Sequence, residues 1–591
     1  MNSEPLSTAA AEVVLQAGGE WRRFVDPVRV VVAESVGDVV PMLLEIERAV
    51  EKDGLYAAGY LAYEAGAAYG LTTHPSPPDR PPLLWFGLFR DYQTMDAPTS
   101  DGAYHFGDWR PSLDFDVYGR AIARIKDAIA AGDTYQANFT FHLETTFEGD
   151  PWALFADLAV AQQADYCAYV DLGRFVVCSA SPELFFRQEG QTLTARPMKG
   201  TAPRGLTAAD DRRQIDWLRH SEKNRAENVM IVDMIRNDFG RVARAGSVDV
   251  PSLFTVERYP TLLQMTSTVT AETDAPLSDV LAATFPCASI TGAPKVRTMQ
   301  IINDLEPQPR GVYTGAIGFI APQRSAQFNV AIRTVVVDRQ RGQAVYGVGS
   351  GVVWDSDAAA EYDECLLKAR VLDGRRETVD FRLLESLRWT PEEGYFLLAR
   401  HLQRLTDSAE YFNIPLEPPR IERLLVDFVR GMTEPAKVRL LLDRAGRVEI
   451  NSRPLLEGAR SEPIRVGLAR MPVSSADVRL YHKTTRRAPY DAARTSRPDC
   501  DDVILWNERG ELTESSAANL VLEIGGQLYT PPVTAGLLAG TFRAQLLETG
   551  EIEERVLITP DLSRATRLWL INSVRGRQAA IVEPLGVAPP A

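Results

Sequence analysis

A polar break near the middle constrains this chain most. Leu372–Asp380, reading LDGRRETVD, is charged and turn-prone, and apolar periodicity restarts after it. A single core stops growing at roughly 250–300 residues, so a chain of 591 residues must divide. The expected parts are residues 1–371, a linker over 372–380 and a second domain over 381–591, with a weaker break near Pro454–Glu462. Upstream, Ala121–Ala131 has the spacing of an amphipathic helix closed by Gly132. Phe175–Cys178, Ala331–Val337 and Ala344–Val348 read as strands. Downstream, Leu397, Leu398, His401, Leu402 and Leu405 recur at helical spacing. The proline pairs at 76–82 and 417–419 read as surface loops.

Charge narrows the function. Lys and Arg total 64 against 79 Asp and Glu, a net charge of −15 with no basic cluster to offset it. Nucleic acid and anionic membranes are therefore not expected partners. No apolar run approaches the roughly 18 residues of a membrane span. Met1–Glu12 lacks the basic start of a signal peptide. Five scattered cysteines, at 167, 178, 287, 365 and 500, have no paired spacing, which fits reduced thiols and a cytoplasmic location.

Part of the chemistry is legible in residue types. Glu361, Glu364 and Lys368 fall at i, i+3 and i+7, on one helix face. Glu227 lies in a separate helical pattern, from about Ser221 to Phe239. Carboxylates from two elements, with few other metal ligands nearby, suit Mg²⁺ that keeps waters and completes its shell with an anionic substrate. Glu227 and Glu364 are the expected metal ligands. Arg333 offers a fork for a carboxylate and Tyr313 a further donor. Gly347, Gly349 and Gly351 let backbone amides approach an anion closely. The implied substrate is a small dicarboxylate.

The order of several strings goes further. Ser181-Pro182-Glu183 precedes Arg196-Pro197-Met198-Lys199-Gly200-Thr201, then Ala226-Glu227-Asn228, Ile231-Val232-Asp233 and Arg236-Asn237-Asp238. Ser289 to Lys295 (SITGAPK), Arg310 to Gly315 (RGVYTG), Ala331 to Thr334 (AIRT), Gly347 to Gly351 (GVGSG) and Glu361 to Glu364 (EYDE) follow. Over residues 115–370 this set resembles the chorismate-utilising synthases. The resemblance implies a two-sheet α+β fold, an α/β sandwich, binding chorismate through Thr291, Tyr313, Arg333, Gly347, Gly349 and Lys368. Lys199 stands where anthranilate synthases typically have alanine, in the pattern of aminodeoxychorismate synthases. The resemblance implies that Lys199 attacks C2 of chorismate as an amine, with Glu183 as acid/base for the departing C4 hydroxyl. Gln136 stands where water-using relatives carry a lysine base, so ammonia is the expected nucleophile. Leu262, Leu263 and Gln264 replace a histidine that many relatives have. No Cys nucleophile in a Gly-rich elbow accompanies a His-x-Glu pair, so a separate glutamine amidotransferase subunit is the expected ammonia source.

Residues 381–591 resemble the class IV aminotransferases, implying a fold-type IV pyridoxal-phosphate domain. The marks are His401 to Leu405 (HLQRL), His482 to Thr485 (HKTT), Glu511 to Asn519 (ELTESSAAN), Gly536 to Thr541 (GLLAGT) and Asn572 to Gly576 (NSVRG). The resemblance makes Lys483 the Schiff-base lysine of pyridoxal 5'-phosphate and Glu514 the partner of its pyridine nitrogen. Arg404, Thr541 and Ser573 become phosphate ligands. Such domains usually pair, so a homodimer through this half is expected. Together the halves imply a bifunctional folate-pathway enzyme. It would aminate chorismate to 4-amino-4-deoxychorismate, then eliminate pyruvate to leave 4-aminobenzoate. The rivals are an anthranilate synthase component fused to a true transaminase, and a chorismate-binding regulator that has lost catalysis.

Overall fold

A computed structural model describes residues 11–260, 262–373, 381–455 and 463–583. Met1–Ala10, linker residues 374–380 and most of the weaker break, 456–462, lie outside the described residues. The chain forms two compact units.

The first unit comprises Met1–Pro203 and Ile215–Thr378. It holds two large antiparallel sheets of eleven and ten strands. In the first sheet, Gln136–Gly149 pairs along its length with Gln343–Val352, and beyond it run Thr334–Asp338, Phe175–Ser181 and Tyr166–Asp171. The second sheet places Met198–Pro203 beside Leu262–Glu272, then Thr192–Arg196 and Leu184–Glu189. Phe175–Ser181 and Ala316–Ala321 are buried at every position, so neither alternates between buried and exposed residues. Their inner faces meet in one cluster, where Val13, Val170 and Val177 touch Tyr60, Trp85 and Ile317. Helices cover the outer faces. Val36–Asp53, Glu222–Gly240 and Leu277–Thr284 lie on the ten-stranded sheet; Phe115–Ala130, Pro151–Gln162 and Ala358–Ala369 lie on the other. The two-sheet expectation holds.

Local chemistry sets the helix starts. Asp114 accepts from Val117 N at 2.8 Å, and Asp357 from Ala359 N and Ala360 N at 3.1 and 3.0 Å, supplying the acceptors a helix N-terminus lacks. One strand reading needs correction. The expected strand over Ala331–Val337 starts only at Thr334, because Arg333 takes the left-handed region at φ 53°. That geometry turns the chain instead of extending it.

The second unit comprises Val379–Ala591 together with Arg204–Gln214. Leu383–Thr390, Ala436–Leu442 and Val448–Pro454 form an antiparallel sheet with Gly394–Tyr395, backed by helices Leu398–Tyr411 and Pro418–Phe428. An eight-stranded mixed sheet follows, in which Ile464–Leu468 runs parallel to both Asp502–Trp506 and Gly576–Val582. The prolines at 418 and 419 do not form a loop. They open a helix, where a missing N–H costs nothing and φ is already helical.

Candidate active sites

Lys199 lies half-buried in the strand Met198–Pro203. Burial lowers its proton affinity, and Lys368 adds to that, while Glu227, Glu183 and Glu364 oppose it. These charges come from two helices and the link between two strands. Glu227 is carried by Glu222–Gly240, Glu364 and Lys368 by Ala358–Ala369, and Glu183 sits between Phe175–Ser181 and Leu184–Glu189. Glu361 belongs to the same field, since its charge and that of Glu364 act on Glu227. The one-face spacing thus puts Glu361 and Glu364 near Glu227, with Lys368 paired to Glu364.

Glu183 is 4% exposed. Burial raises its carboxyl to about 7, against the opposing pull of Ser289 and Lys199. Its Oε1 is buried without a hydrogen-bond partner, and so is Oε1 of Gln136. Gln136 reaches the same place: a Cβ built on Gly351 would lie 2.4 Å from Gln136 Nε2 and 3.0 Å from Lys199 Nζ. Gly351, the last of the three glycines named for close approach to an anion, thus stands beside Lys199.

Thr291 is fully buried and donates to Cys287 O and Ala288 O at 3.1 and 3.2 Å. Its own carbonyl accepts from Asn138 N at 2.8 Å. Next to it, Gly292 has φ +147° and faces Gln136 O, which a Cβ would meet at 2.1 Å, so only glycine brings this loop against the Gln136 strand. Arg333 donates Nη1 to Lys368 O at 2.5 Å. Lys368 bonds Gly349 O at 2.8 Å and Glu364 at 2.7 Å. That pairing outweighs burial and holds the Glu364 carboxyl below its usual range. Gln264, one of the three residues read as standing where many relatives have a histidine, donates to Gly200 O at 3.0 Å, beside Lys199. Tyr313 and Gly347 are placed differently. The Tyr313 ring packs on Gly347, where a Cβ would lie 2.1 Å from it. Both line a cavity of ≈ 630 Å³ with His142, Arg310 and Thr334, a lining that omits Lys199, Glu227 and Glu364.

No group of three or more His, Cys, Asp or Glu side chains is set to hold a metal among the described residues. Glu227 and Glu364 still fit Mg²⁺ that takes its other ligands from water and substrate. Burial and the neighbouring Glu361 and Glu364 raise Glu227, as crowded carboxylates do.

In the second unit, Lys483 lies between two staples. Its carbonyl accepts from Leu384 N at 2.8 Å, and His482 before it is buried. Burial, then Arg404 and Arg487, lower the Lys483 amine to about 8, with Glu385 and Glu514 opposing. Glu514 is buried and raised by that burial to about 7. Its Oε1 accepts from Tyr490 OH at 2.7 Å and Leu538 N at 2.9 Å, and its Oε2 from Asn519 Nδ2 at 3.0 Å. A second carboxylate, Glu385, organises the expected phosphate end. Arg404 grips it through Nε and Nη2 at 2.9 and 2.7 Å, and His401 Nδ1 lies 2.7 Å away. Burial pushes Glu385 up, but Arg404 and His401 outweigh it and hold it at about 2. His401 Nε2 is 3.2 Å from Thr541 Oγ1, which links Thr541 to Arg404 through this chain. Ser573 is 7% exposed in the turn before Gly576–Val582. An amine of lowered basicity, a fully hydrogen-bonded carboxylate and an oriented arginine fit pyridoxal 5'-phosphate.

Sequence reasoning missed Glu385. Its signal was an acid at a core-facing position of the alternation Leu383, Glu385, Leu387, Trp389. It also missed a cationic row. Arg388, Lys437 and Arg453 stand directly opposite one another across three strands, and such like-charge neighbours repel. Burial first, then Arg453, Arg575, Arg439 and Arg487, lower Lys437 to about 8. Arg487 acts on both Lys437 and Lys483.

Comparison with known proteins follows the same division. Residues 98–373 match the chorismate binding enzyme family, and residues 382–580 match amino-transferase class IV. Aminodeoxychorismate synthase component 1 of Escherichia coli is 41% identical over 259 residues, 44% of this chain and 57% of that protein. Anthranilate synthase component 1 of Thermus thermophilus is 40% identical over 260 residues, 44% of this chain and 56% of that protein. The chain thus spans somewhat over half the length of these relatives. The crystal structure of anthranilate synthase component I from Streptococcus pneumoniae shares the fold of the first unit. Its TM-score is 0.53 at 24% identity, over 63% of this chain and 93% of that one. The chain is a fusion of a chorismate binding enzyme domain with a class IV amino-transferase domain, the second implying pyridoxal phosphate as cofactor.

Proposed function

We propose that this protein makes 4-aminobenzoate from chorismate and ammonia in two steps, one in each unit. The observation that carries the reading is the cluster around Lys199: an amine of lowered basicity beside Glu183, whose carboxyl sits at about 7. In the first step the neutral Lys199 amine adds to C2 of chorismate, and the C4 hydroxyl departs with a proton from Glu183. Ammonia then bonds to C4, the double bond shifts back and the C2–N bond to Lys199 breaks. A proton from the incoming ammonium returns to Glu183, so the net products are 4-amino-4-deoxychorismate and water. Glu227 and Glu364 would hold Mg²⁺, which neutralises substrate carboxylate charge. Arg333, pinned by Lys368 O, and Thr291 orient the ring. Ammonia would come from a separate glutamine amidotransferase.

In the second step, pyridoxal phosphate supplies an electron sink for the amine carbon. Glu514 would hold charge at the ring nitrogen, and Arg404, Thr541 and Ser573 would hold the phosphate. Lys483, neutral near pH 8, takes the C4 proton. The C3–O bond then breaks, releasing enolpyruvate, which becomes pyruvate, and the ring is left aromatic. A second reading draws on the Thermus thermophilus relative: an anthranilate synthase component joined to a transaminase. The test is direct. Purified protein with chorismate, Mg²⁺ and ammonium should yield 4-aminobenzoate and one equivalent of pyruvate; anthranilate would overturn the proposal and select the second reading.

A further inference from the structure

The second unit contains an eleven-residue piece, Arg204–Gln214, that is remote in sequence from the rest of it. Its contacts are specific. Arg204 is 8% exposed at its side chain and pairs with the fully buried Asp211 at 2.7 Å. It donates to Tyr411 O at 2.6 Å and stacks 4.2 Å over the Tyr411 ring. Tyr411 OH donates back to Gly205 O at 2.9 Å, and Gly205 N donates to Asp211 Oδ1 at 2.8 Å. Arg212 reaches Glu410 at 2.6 Å on the same helix. Leu206 packs into the cluster of Leu480, Tyr481, Tyr490 and Val503.

The end point of these contacts is His482, the residue before Lys483. Its Nε2 lies 3.1 Å from Leu206 O, and its Nδ1 lies 3.0 Å from Ser408 Oγ. A carbonyl oxygen only accepts, so Nε2 carries the proton and Nδ1 accepts from the serine. Burial lowers the imidazole to about 4, so the ring is neutral at ordinary pH. The Tyr411 and Phe412 rings close around it at 4.4 and 4.8 Å. With the Leu384 bond on its other side, the Lys483 backbone is held from both directions.

We propose that Arg204–Gln214 is a positioning element of the Lys483 site: it fixes His482 through the Leu206 carbonyl and thereby sets the place and direction of the Lys483 side chain. The local structure does not depend on which reaction Lys483 serves, although the functional weight rests on Lys483 being the reactive amine. A fragment cut at residue 381 would lack this element.

The test uses the full chain. In Gly205→Ala the added Cβ would lie 2.1 Å from Asp210 Cβ and 2.9 Å from backbone atoms of Asp210 and Asp211, prising the segment away without removing a charge. Arg204→Ala breaks the same lock by another route and covers the case in which the first variant fails to fold. Hydrogen exchange of the peptide over 480–486 should quicken at least ~10-fold in both variants. The pH midpoint for acetylation of Lys483 by acetic anhydride, followed by mass spectrometry without cofactor, should move from about 8 towards the ~10.4 of a free lysine. Arg204→Lys, which keeps a cation for Asp211, should restore part of the protection. Faster exchange confined to 204–214, with the 480–486 peptide and the Lys483 midpoint unmoved, would overturn the proposal. Residual failure to make 4-aminobenzoate with both readouts unchanged would count against the functional reading instead.

Discussion

Around Lys199, two buried oxygens, Glu183 Oε1 and Gln136 Oε1, have no donor, whereas around Lys483 the Glu514 carboxylate takes three. Both lysines have lowered proton affinity, chiefly through burial, so the amines are tuned alike while their surroundings are not. An unmet buried acceptor costs roughly 1–3 kcal/mol. In the first unit a ligand, a proton or a water would relieve that cost. In the second unit the Glu514 carboxylate is satisfied in advance. The first site is thus finished by its substrate, and the second is a frame ready for a cofactor that stays.

The comparison breaks most sharply at the lysines. Lys199→Ala should lower ammonia-dependent chorismate consumption at least ~10³-fold while leaving cofactor absorbance intact. Lys483→Ala should consume chorismate normally and accumulate 4-amino-4-deoxychorismate, resolved by chromatography. Normal 4-aminobenzoate formation by Lys483→Ala would remove the second unit from the reaction.

Glu183→Gln should cost ~10²–10⁴-fold in the first step, the range for a general acid–base group. The sign follows from its raised carboxyl: the proton it donates is held below pH 7 and lost as pH rises through about 7. The wild-type rate should fall above that pH, and the variant should lose the limb. A retained limb would assign the titration to another group. Glu364→Gln should raise the Mg²⁺ concentration for half-activity ~10-fold or more, the scale of losing support at a metal site, and unchanged Mg²⁺ titrations for both Glu364→Gln and Glu227→Gln would refute the ligand pair.

The smallest expected effect sharpens the second site. Lys437 loses its proton as pH rises through about 8, taking one charge from the Arg388–Lys437–Arg453 row. We expect the row, whose neighbour Arg487 also acts on Lys483, to attract substrate carboxylates, so KM for a dicarboxylate substrate should rise above pH 8. Lys437→Gln should raise it a few-fold at pH 7, about the weight of one solvent-screened charge pair, and flatten that rise. Equal effects on a monocarboxylate amino acid would show that the row does not count charges.

Much of this was legible because it is local. The helix-face spacing of Glu361, Glu364 and Lys368, the separate helix of Glu227 and the strand alternation all sit within a few residues of each other. What escaped is set by distant partners. Arg333 reads as strand, yet its left-handed turn accompanies a bond to Lys368 O, 35 residues away. Tyr313 reads as a substrate donor, yet its ring is seated by Gly347 in a different cavity. Arg204 belongs with Tyr411, 207 residues on, and no periodicity records such a pairing. Glu385 was readable in principle, as an acid out of place in an apolar alternation.

The five cysteines carry a last consequence. All are buried and none is paired with another, and burial raises the thiols, Cys167 and Cys287 to about 12 and Cys365 to about 11. Since only the thiolate reacts, an alkylating reagent should stay silent on the native protein. Four of these thiols lie in the first unit, and Cys500 alone lies in the second. Labelling rates at Cys500 against the other four would therefore act as two independent clocks, timing how often each unit opens.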